Sequence, residues 1–210
     1  MHEIPVYLFV GFVGAGKTRF IGEIMADPDF LVRERTLLLI CEEGAEHYDA
    51  ARFVHEDVHI CTVKAQSDLT TDFLQALEAA HAPKRIIIEY NGAWELPSIY
   101  NAMPAHWFIY QNVCIANAEA FAGFAAAMPQ LTYDKLQDAD TVLFNRCRPN
   151  TDTALLQRAV RRVNGEGEIL LEDEAGKLTT CERPATHAHT HSHASDIKIA
   201  DASYDLFKPL

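Results

Sequence analysis

Eight consecutive residues near the start of the chain have the types and spacing of a phosphate-binding loop. The pattern G-x-x-x-x-G-K-[ST] is matched by Gly11-Phe12-Val13-Gly14-Ala15-Gly16-Lys17-Thr18. Glycine amides can wrap a phosphate chain without Cβ clashes, and a helix that follows them points its positive end at the same anion. We therefore expect a nucleoside triphosphate to contact Gly11, Val13, Gly14, Ala15, Gly16, Lys17, Thr18 and Arg19.

The two polar side chains that close this loop have distinct expected roles. Lys17 would reach the β- and γ-phosphates, and the Thr18 hydroxyl would bind Mg²⁺. The flanking sequence supports this, because the apolar residues 6–10 predict a strand before the loop. The apolar spacing of residues 19–25 predicts a helix after it.

Composition and charge limit the classes of protein to which the chain can belong. Its 210 residues suffice for one α/β domain plus a tail, and 49% hydrophobic with 23% charged residues is typical of a soluble globular protein. The net charge of −12 argues against a nucleic-acid partner. No apolar run approaches the ~20 residues that a membrane span needs, and the first residues lack the basic region of a secretory signal. Scattered cysteines without a C-x-x-C spacing favour a reducing compartment, so we expect a cytoplasmic protein.

Strands and helices are predicted to alternate along most of the chain. Apolar runs predict further strands over residues 36–41, 58–63, 84–89, 107–116, 141–144 and 168–171. Helices are predicted over residues 46–53, 69–80, 118–127 and 151–163. This alternation predicts an α/β fold of the P-loop NTPase kind, a doubly wound, mostly parallel sheet flanked by helices.

The composition changes near residue 172. We expect a nucleotide-binding domain over residues 1–172, followed by a polar, acidic and then histidine-rich linker over residues 173–195. Residues 196–210 begin with the alternation of a strand. They could pair with the edge of the sheet or be the start of a domain that lies outside this chain.

Acidic residues follow two of the predicted strands, at the edge where doubly wound sheets bind ligands. Glu89 ends the fourth strand and could bind Mg²⁺, and Gly92 would leave a backbone N–H free to approach the γ-phosphate. Glu42 and Glu43 follow the second strand, and either could hold a metal-bound water or position the attacking water. The alternative for each of these acids is a solvated residue at a strand end.

The sixth predicted strand runs into a segment related to the guanine-recognition pattern N-K-x-D. Asn145 would brace the loop, and Arg146 could stack on the base as the lysine does. Arg148 stands where the pattern has aspartate. A guanidinium only donates hydrogen bonds, and the guanine edge to be read is itself a donor. Guanine selectivity therefore needs another acceptor, such as Asp152.

These motifs together resemble those of the CobW/UreG/HypB group of P-loop GTPases, and within it the CobW-like proteins. Residues 11–18 are similar to the group's G-F-L-G-[AS]-G-K-T-T, residues 41–44 to its N-E-x-G and residues 89–92 to its E-x-x-G. Three features depart from the group. Cys61 is a lone thiol where a C-x-C-C metal motif is usual, Arg148 replaces aspartate, and the usual C-terminal domain is not found.

The resemblance implies GTP hydrolysis that is coupled to delivering or allocating a metal such as zinc, nickel or cobalt. The partners that it implies are a metalloprotein client or a metal transporter, and a second copy of the chain that dimerises around nucleotide. From the residues themselves, the expected Mg²⁺ ligands are Thr18, Glu42 and Glu89.

Four histidines alternate with other residues near the end of the chain. In an extended segment their rings project from one side, and neutral imidazole is a ligand for Zn²⁺, Ni²⁺ or Cu²⁺. We expect a transition-metal site here, and the alternatives are a solvated linker or an incidental low-complexity tract. The four residues are His187, His189, His191 and His193.

Three functions compete at this point. The first is a Mg²⁺-dependent nucleoside triphosphatase, a GTPase of slow intrinsic turnover, with Lys17, Glu42 and Glu89 as catalytic residues. The second is a nucleotide-binding regulatory or metal-buffering protein with little hydrolysis. The third, a small-molecule P-loop kinase, ranks last, because the arginine-bearing lid of such enzymes is not recognisable in the sequence.

Overall fold

A mostly parallel sheet forms the centre of the computed structural model, which describes residues 3–27, 34–42, 44, 47–54 and 57–181. Within these residues the strands are β1 (Ile4–Val10), β2 (Thr36–Ile40), β3 (Val58–Thr62), β4 (Arg85–Glu89), β5 (Trp107–Asn117), β6 (Thr141–Cys147), β7 (Glu168–Asp173) and β8 (Leu178–Thr180). The α-helices are α1 (Lys17–Met25), α2 (Thr71–His81), α3 (Leu96–Ala102), α4 (Phe121–Ala127), α5 (Pro129–Gln137) and α6 (Thr153–Arg161).

The strand order places β1 and the phosphate-binding loop that follows it near the middle of the sheet. The order is β3-β2-β4-β1-β5-β6-β7-β8, and only β8 runs antiparallel to its neighbour among the described strands. Glu89 at the end of β4 lies beside Phe9 of β1 and Ile40 of β2. Asn117 of β5 is opposite Asn145 of β6. The carboxyl ends of these parallel strands therefore bring the predicted site residues to one edge.

The direction in which the chain winds decides which face each helix covers. The path from β1 to β2 and β3 moves toward one edge of the sheet, and the apolar side of α1 packs on the face that carries Tyr7 and Phe9. The later crossovers run the other way, and α2 to α6 bury residues against the face that carries Val6 and Leu8. The predicted doubly wound, mostly parallel sheet flanked by helices is confirmed.

Two helices were missed and one predicted helix is wrong. The predicted helix over residues 46–53 is reduced to a single 3-10 turn, Ala50–Arg52, in the part of it that the structure describes. Asp49 accepts a hydrogen bond from Ala51 N–H, which fixes a local turn in place of a longer helix. The missed helices, α3 and α5, are short, and each has a proline in its first turn.

The sheet extends beyond the boundary predicted at residue 172. β7 ends at Asp173, whose carboxylate accepts from Ala175 N–H and Lys177 N–H, and Gly176 has a φ of +80°. This turn reverses the chain into β8, which pairs with β7 inside the predicted linker. The rest of that linker, the histidine tail and residues 196–210 lie outside the described residues.

No helix in the described part of the chain has the length and apolar character needed to cross a membrane.

Candidate nucleotide-binding site

The loop between β1 and α1 adopts backbone conformations that favour glycine. Gly11, Gly14 and Gly16 have φ values of +132°, +74° and +96°. A Cβ on Gly11 would lie 2.0 Å from Ile115 O, so the loop passes directly over β5. The N-cap of α1 is Gly16, which has no side chain to cap the helix. The backbone N–H groups of the first turn are therefore suited to an anion.

Lys17 is buried beneath this loop. Its Nζ donates to Gly11 O at 2.8 Å and to Phe12 O at 3.1 Å, and the residue is only 2% exposed. Its third contact is an ion pair with Glu42 Oε2 at 2.6 Å. The ammonium therefore has a carboxylate partner at the place where the sequence predicts a phosphate.

Glu42 links the loop after β2 to the loop after β4. Its other oxygen, Oε1, accepts a hydrogen bond from Gly92 N–H at 3.0 Å. A Cβ on Gly92 would lie 2.7 Å from Gly11 O and 2.8 Å from Val13 N, so this position must be glycine for the two loops to approach. The structure thus brings together Lys17, Glu42 and Gly92, three residues that the sequence predicts to belong to the site.

Glu89 is the second buried acid of the site. Its Oε1 accepts from Thr18 Oγ1 and its Oε2 from Tyr48 Oη, both at 2.6 Å. Burial raises the pKa of Glu89, while the two hydrogen bonds and the charge of Lys17 oppose that rise. Burial also raises the pKa of Tyr48, so its hydroxyl stays a donor to Glu89.

The donor set around Thr18 fits magnesium better than a transition metal. Thr18 and Glu89 supply a hydroxyl and a carboxylate that are already in contact, and Mg²⁺ prefers such oxygen ligands. Among the residues that the structure describes, no group of three or more His, Cys, Asp or Glu side chains is arranged to hold a metal ion. Glu42, the third predicted Mg²⁺ ligand, is paired with Lys17 in this conformation.

Arg19, the first residue after the loop motif, is paired with a residue of β7, near one edge of the sheet. Its Nη2 contacts both carboxylate oxygens of Glu172 in β7, at 2.8 and 2.7 Å. The side chain therefore anchors α1 to β7. A direct contact between this residue and phosphate would come from its backbone N–H.

The loops after β5, β6 and β7 converge where the sequence predicts base recognition. Asn145 is buried, and its Nδ2 donates to Ala15 O of the phosphate-binding loop at 2.6 Å. Arg146 is exposed and has a φ of +57°. Asp152 Oδ1 accepts from Leu155 N–H and caps α6, so this carboxylate is already engaged.

Arg148 is held by two carboxylates from neighbouring loops. Its Nη1 lies 2.6 Å from Glu119 Oε1, and its Nε donates to Glu174 Oε1 at 3.0 Å. These hydrogen bonds and charges raise the pKa of Arg148, so the guanidinium stays charged. The carboxylates of Glu119 and Glu174 therefore supply hydrogen-bond acceptors beside Arg148, whose own side chain has none.

The chain matches the sequence model of a known family over most of its length. The family is described as CobW/HypB/UreG, nucleotide-binding domain, and the match covers residues 5–170. The chain belongs to this family. The resemblance inferred from the loop motifs is therefore confirmed, and the family is one of P-loop GTPases related to metallochaperones. No curated protein matches the chain significantly.

Solved structures share the fold of this CobW/HypB/UreG domain at low sequence identity. Zn(II)-bound YjiA GTPase from E. coli superimposes with a TM-score of 0.59 and 19% identity over 80% of this chain. The chain spans only 57% of that protein. The hydrogenase maturation factor HypB from Archaeoglobus fulgidus gives 0.56 and 12%, covering 81% of both chains. FlhF complexed with GMPPNP/Mg(2+) gives 0.54 and 11%, covering 87% of this chain and 72% of its own.

Several residues of the site carry no recognisable signal in the sequence. Tyr48 contacts Glu89 across 41 positions, and neither its type nor its spacing indicates this. Glu119, Glu172 and Glu174 could have been suspected only from their places after or at the ends of strands that reach the ligand-binding edge.

Proposed function

We propose that this chain binds GTP with Mg²⁺ and hydrolyses it slowly. One observation carries the proposal, the convergence of the Lys17 ammonium, the Thr18 hydroxyl, the Glu89 carboxylate and the Gly92 N–H beneath a glycine loop. These groups offer positive charge, metal ligands and a backbone donor at one edge of the sheet. Phosphoryl transfer depends on such positioning and charge neutralisation.

Each side chain has a role in this proposal. Lys17 stabilises the charge that develops on the phosphoryl oxygens, and backbone N–H groups of the loop and of the first turn of α1 bind the phosphate chain. Thr18 and Glu89 would hold Mg²⁺, which when bound neutralises phosphate charge. Tyr48 keeps the Glu89 carboxylate oriented toward Thr18. Slow turnover is proposed because such GTPases commonly need an arginine or a partner for full rate.

Guanine is the proposed base, with the acceptor supplied by neighbours of Arg148. The carboxylates of Glu119 and Glu174 are held at this position by the guanidinium. Either carboxylate can accept hydrogen bonds from guanine N1–H and N2–H, which the Arg148 guanidinium cannot do. Arg146, exposed at the end of β6, would stack on the base.

A role in metal homeostasis is proposed from the family and from the sequence of the tail. YjiA is described as Zn(II)-bound, and the family is related to metallochaperones. The proposed transition-metal ligands are His187, His189, His191 and His193, with Zn²⁺ or Ni²⁺ as the ion. A cytoplasmic location, a metalloprotein client or metal transporter, and a homodimer complete the proposal.

Steady-state phosphate release tests the enzymatic part. With GTP and Mg²⁺ the protein should release phosphate, and Lys17→Ala should reduce the rate by about 100-fold or more, because a preorganised transition-state donor is lost. Lys84→Ala is the matched control, since Lys84 is exposed at the opposite end of β4. It should leave the rate unchanged.

The second candidate is a regulatory nucleotide-binding protein. The Lys17–Glu42 ion pair favours this candidate, because Glu42 occupies the ammonium that hydrolysis needs. Tight GTP binding without phosphate release, with Zn²⁺ or Ni²⁺ also present, would support this candidate and reject hydrolysis.

A further inference from the structure

The carboxylate of Glu42 is held by two donors that a triphosphate would also need. Oε2 lies 2.6 Å from Lys17 Nζ, and Oε1 accepts from Gly92 N–H at 3.0 Å. The Glu42 side chain is 8% exposed. A carboxylate and a terminal phosphate present the same chemistry to such donors, since both carry negative charge on oxygens that accept hydrogen bonds.

The hydrogen-bonding capacity of Lys17 makes the two ligands competitors. An ammonium has three N–H donors. Two of them contact Gly11 O and Phe12 O, which belong to the loop itself, and the third direction is taken by Glu42. A γ-phosphate that is to bind Lys17 therefore has to displace this carboxylate.

Backbone contacts hold Glu42 close to these donors. Cys41 N–H, one residue earlier, donates to Glu89 O at 2.8 Å, and Asn91 Nδ2 donates to Cys41 O at 3.1 Å. Gly92 in turn lies against the phosphate-binding loop. The loop after β2 is thus joined to the loop after β4, and these contacts position Glu42.

We propose that Glu42 occupies the γ-phosphate position in the nucleotide-free protein and thereby determines the preference between GTP and GDP. The inference rests on the proposed function, and it identifies which phosphate the site senses. GDP, which has no γ-phosphate, leaves the hydrogen bond between Gly92 N–H and Glu42 in place, although its β-phosphate can share Lys17 with that carboxylate. GTP has to displace Glu42 from both donors, and its affinity is lowered by the loss of both contacts.

Equilibrium binding of GDP and of a non-hydrolysable GTP analogue, both with Mg²⁺, tests this inference in the full chain. Glu42→Gln keeps the side-chain shape and removes the charge. The ratio of the GDP Kd to the analogue Kd should rise by about tenfold or more, the value of one charge-assisted hydrogen bond. Glu42→Ala, which removes both oxygens, should shift the ratio in the same direction. Glu3→Gln, at an exposed position, is the matched control and should leave it unchanged.

The outcomes separate the inference from the proposed function. A ratio that stays constant or falls in both Glu42 variants, in protein that circular dichroism shows to be folded, overturns the inference. A fall would place Glu42 among the groups that assist bound GTP. If the wild-type protein binds neither nucleotide, the proposed function is rejected and the inference is rejected with it.

Discussion

Arg148 is the residue at which sequence and proposed substrate disagree most clearly. It occupies the position of a base-reading aspartate, and its guanidinium can only donate hydrogen bonds. The structure surrounds it with Glu119 and Glu174, so the local chemistry includes both donors and acceptors. Base selectivity therefore depends on how far these two carboxylates replace an acceptor at position 148 itself.

Replacing the guanidinium by a carboxylate should sharpen selectivity for guanine. In Arg148→Asp the new acceptor can bind guanine N1–H and N2–H directly, as in the N-K-x-D pattern. We expect ATP to become at least about tenfold weaker as a competitor relative to GTP, because pairing of a ligand group at a built site can contribute even more to discrimination. Competition against a fluorescent GTP analogue measures the ratio.

Arg158→Asp is the control for the change in charge, because Arg158 is exposed in the last turn of α6. It should leave the ratio of ATP to GTP competition unaltered. If wild-type protein binds ATP as well as GTP and Arg148→Asp does not alter this, then guanine is not read at position 148.

The site depends on how closely the loop after β4 approaches the loop after β1. Gly92→Ala adds a Cβ whose neighbours at 2.7–2.8 Å are all backbone atoms, namely Gly11 O, Phe12 Cα and Val13 N. Backbone cannot yield as a flexible side chain does, so the two loops must separate. We expect the affinity for GTP to fall about tenfold or more, because Gly92 N–H and Lys17 would no longer converge. Isothermal titration calorimetry measures this change.

Gly123→Ala provides a matched substitution within a helix. Gly123 lies in α4, and a Cβ there meets nothing within 4 Å. Alanine should raise the free energy of unfolding by about 0.5–1 kcal/mol and leave GTP affinity unchanged. Equal effects of the two variants on GTP binding would show that the close approach at Gly92 is not required.

The elements that could be predicted from the sequence are those with a local signal. The parallel strands are buried on both faces, and the resulting apolar runs predict β2, β4 and β6 within a few residues. The short helices α3 and α5 carry too few periodic positions to be recognised, although a proline opens each. Residues 46–53 have helical composition, but Asp49 favours a local turn.

The same distinction applies to the candidate site. The spacing of a strand end and a turn is enough to predict places for the phosphate-binding loop, Glu89 and Gly92 in the site. The Tyr48–Glu89 contact spans 41 positions and the Asn145–Ala15 contact spans 130. Such contacts depend on strand order and register, which single-sequence patterns do not specify. The sequence predicts water or Mg²⁺ as the partner of Glu42, whereas in the structure Glu42 pairs with Lys17.

The fold shields four of the five cysteines from solvent. All five are free, and four are buried. Burial raises the pKa of Cys114 from 9.0 to about 12, and the charges of Lys135 and Lys17 oppose the rise. Because the thiolate is the form that binds metal, this thiol is a poor metal ligand in the folded protein. The raised pKa also makes stability depend on alkaline pH.

Raising the pH above 9 should destabilise the wild-type protein more steeply than Cys114→Ala. The folded-state pKa lies above the unfolded one, so this thiol's contribution is complete below pH 9 and is lost as the pH rises toward about 12. One such group contributes up to about 1.4 kcal/mol per pH unit to the slope. Urea unfolding measures how the free energy of unfolding depends on pH. The measurements run from about pH 8 to about pH 10.5, on either side of the free thiol pKa.

Cys61→Ala is the matched control, because Cys61 is only partly buried and burial raises its pKa as well. Its effect on the slope should be smaller than that of Cys114→Ala. Equal slopes in wild-type and Cys114→Ala protein would mean that the buried thiol ionises freely in the folded state.

We expect metal binding to come from the histidine-rich segment over residues 187–193. The described residues contain no group of three or more His, Cys, Asp or Glu side chains that could hold a metal ion, whereas the tail offers four imidazoles at alternate positions. Replacing all four tail histidines by alanine should abolish Zn²⁺ and Ni²⁺ binding and leave GTP affinity intact, as measured by metal stoichiometry and calorimetry at pH near 7. A His59→Ala/His81→Ala variant is the control, because these two imidazole rings lie close together in the described part of the chain, with centroids 4.5 Å apart and an interplanar angle of 30°. Retention of metal by the tail variant and its loss from the control would assign the ion to that pair.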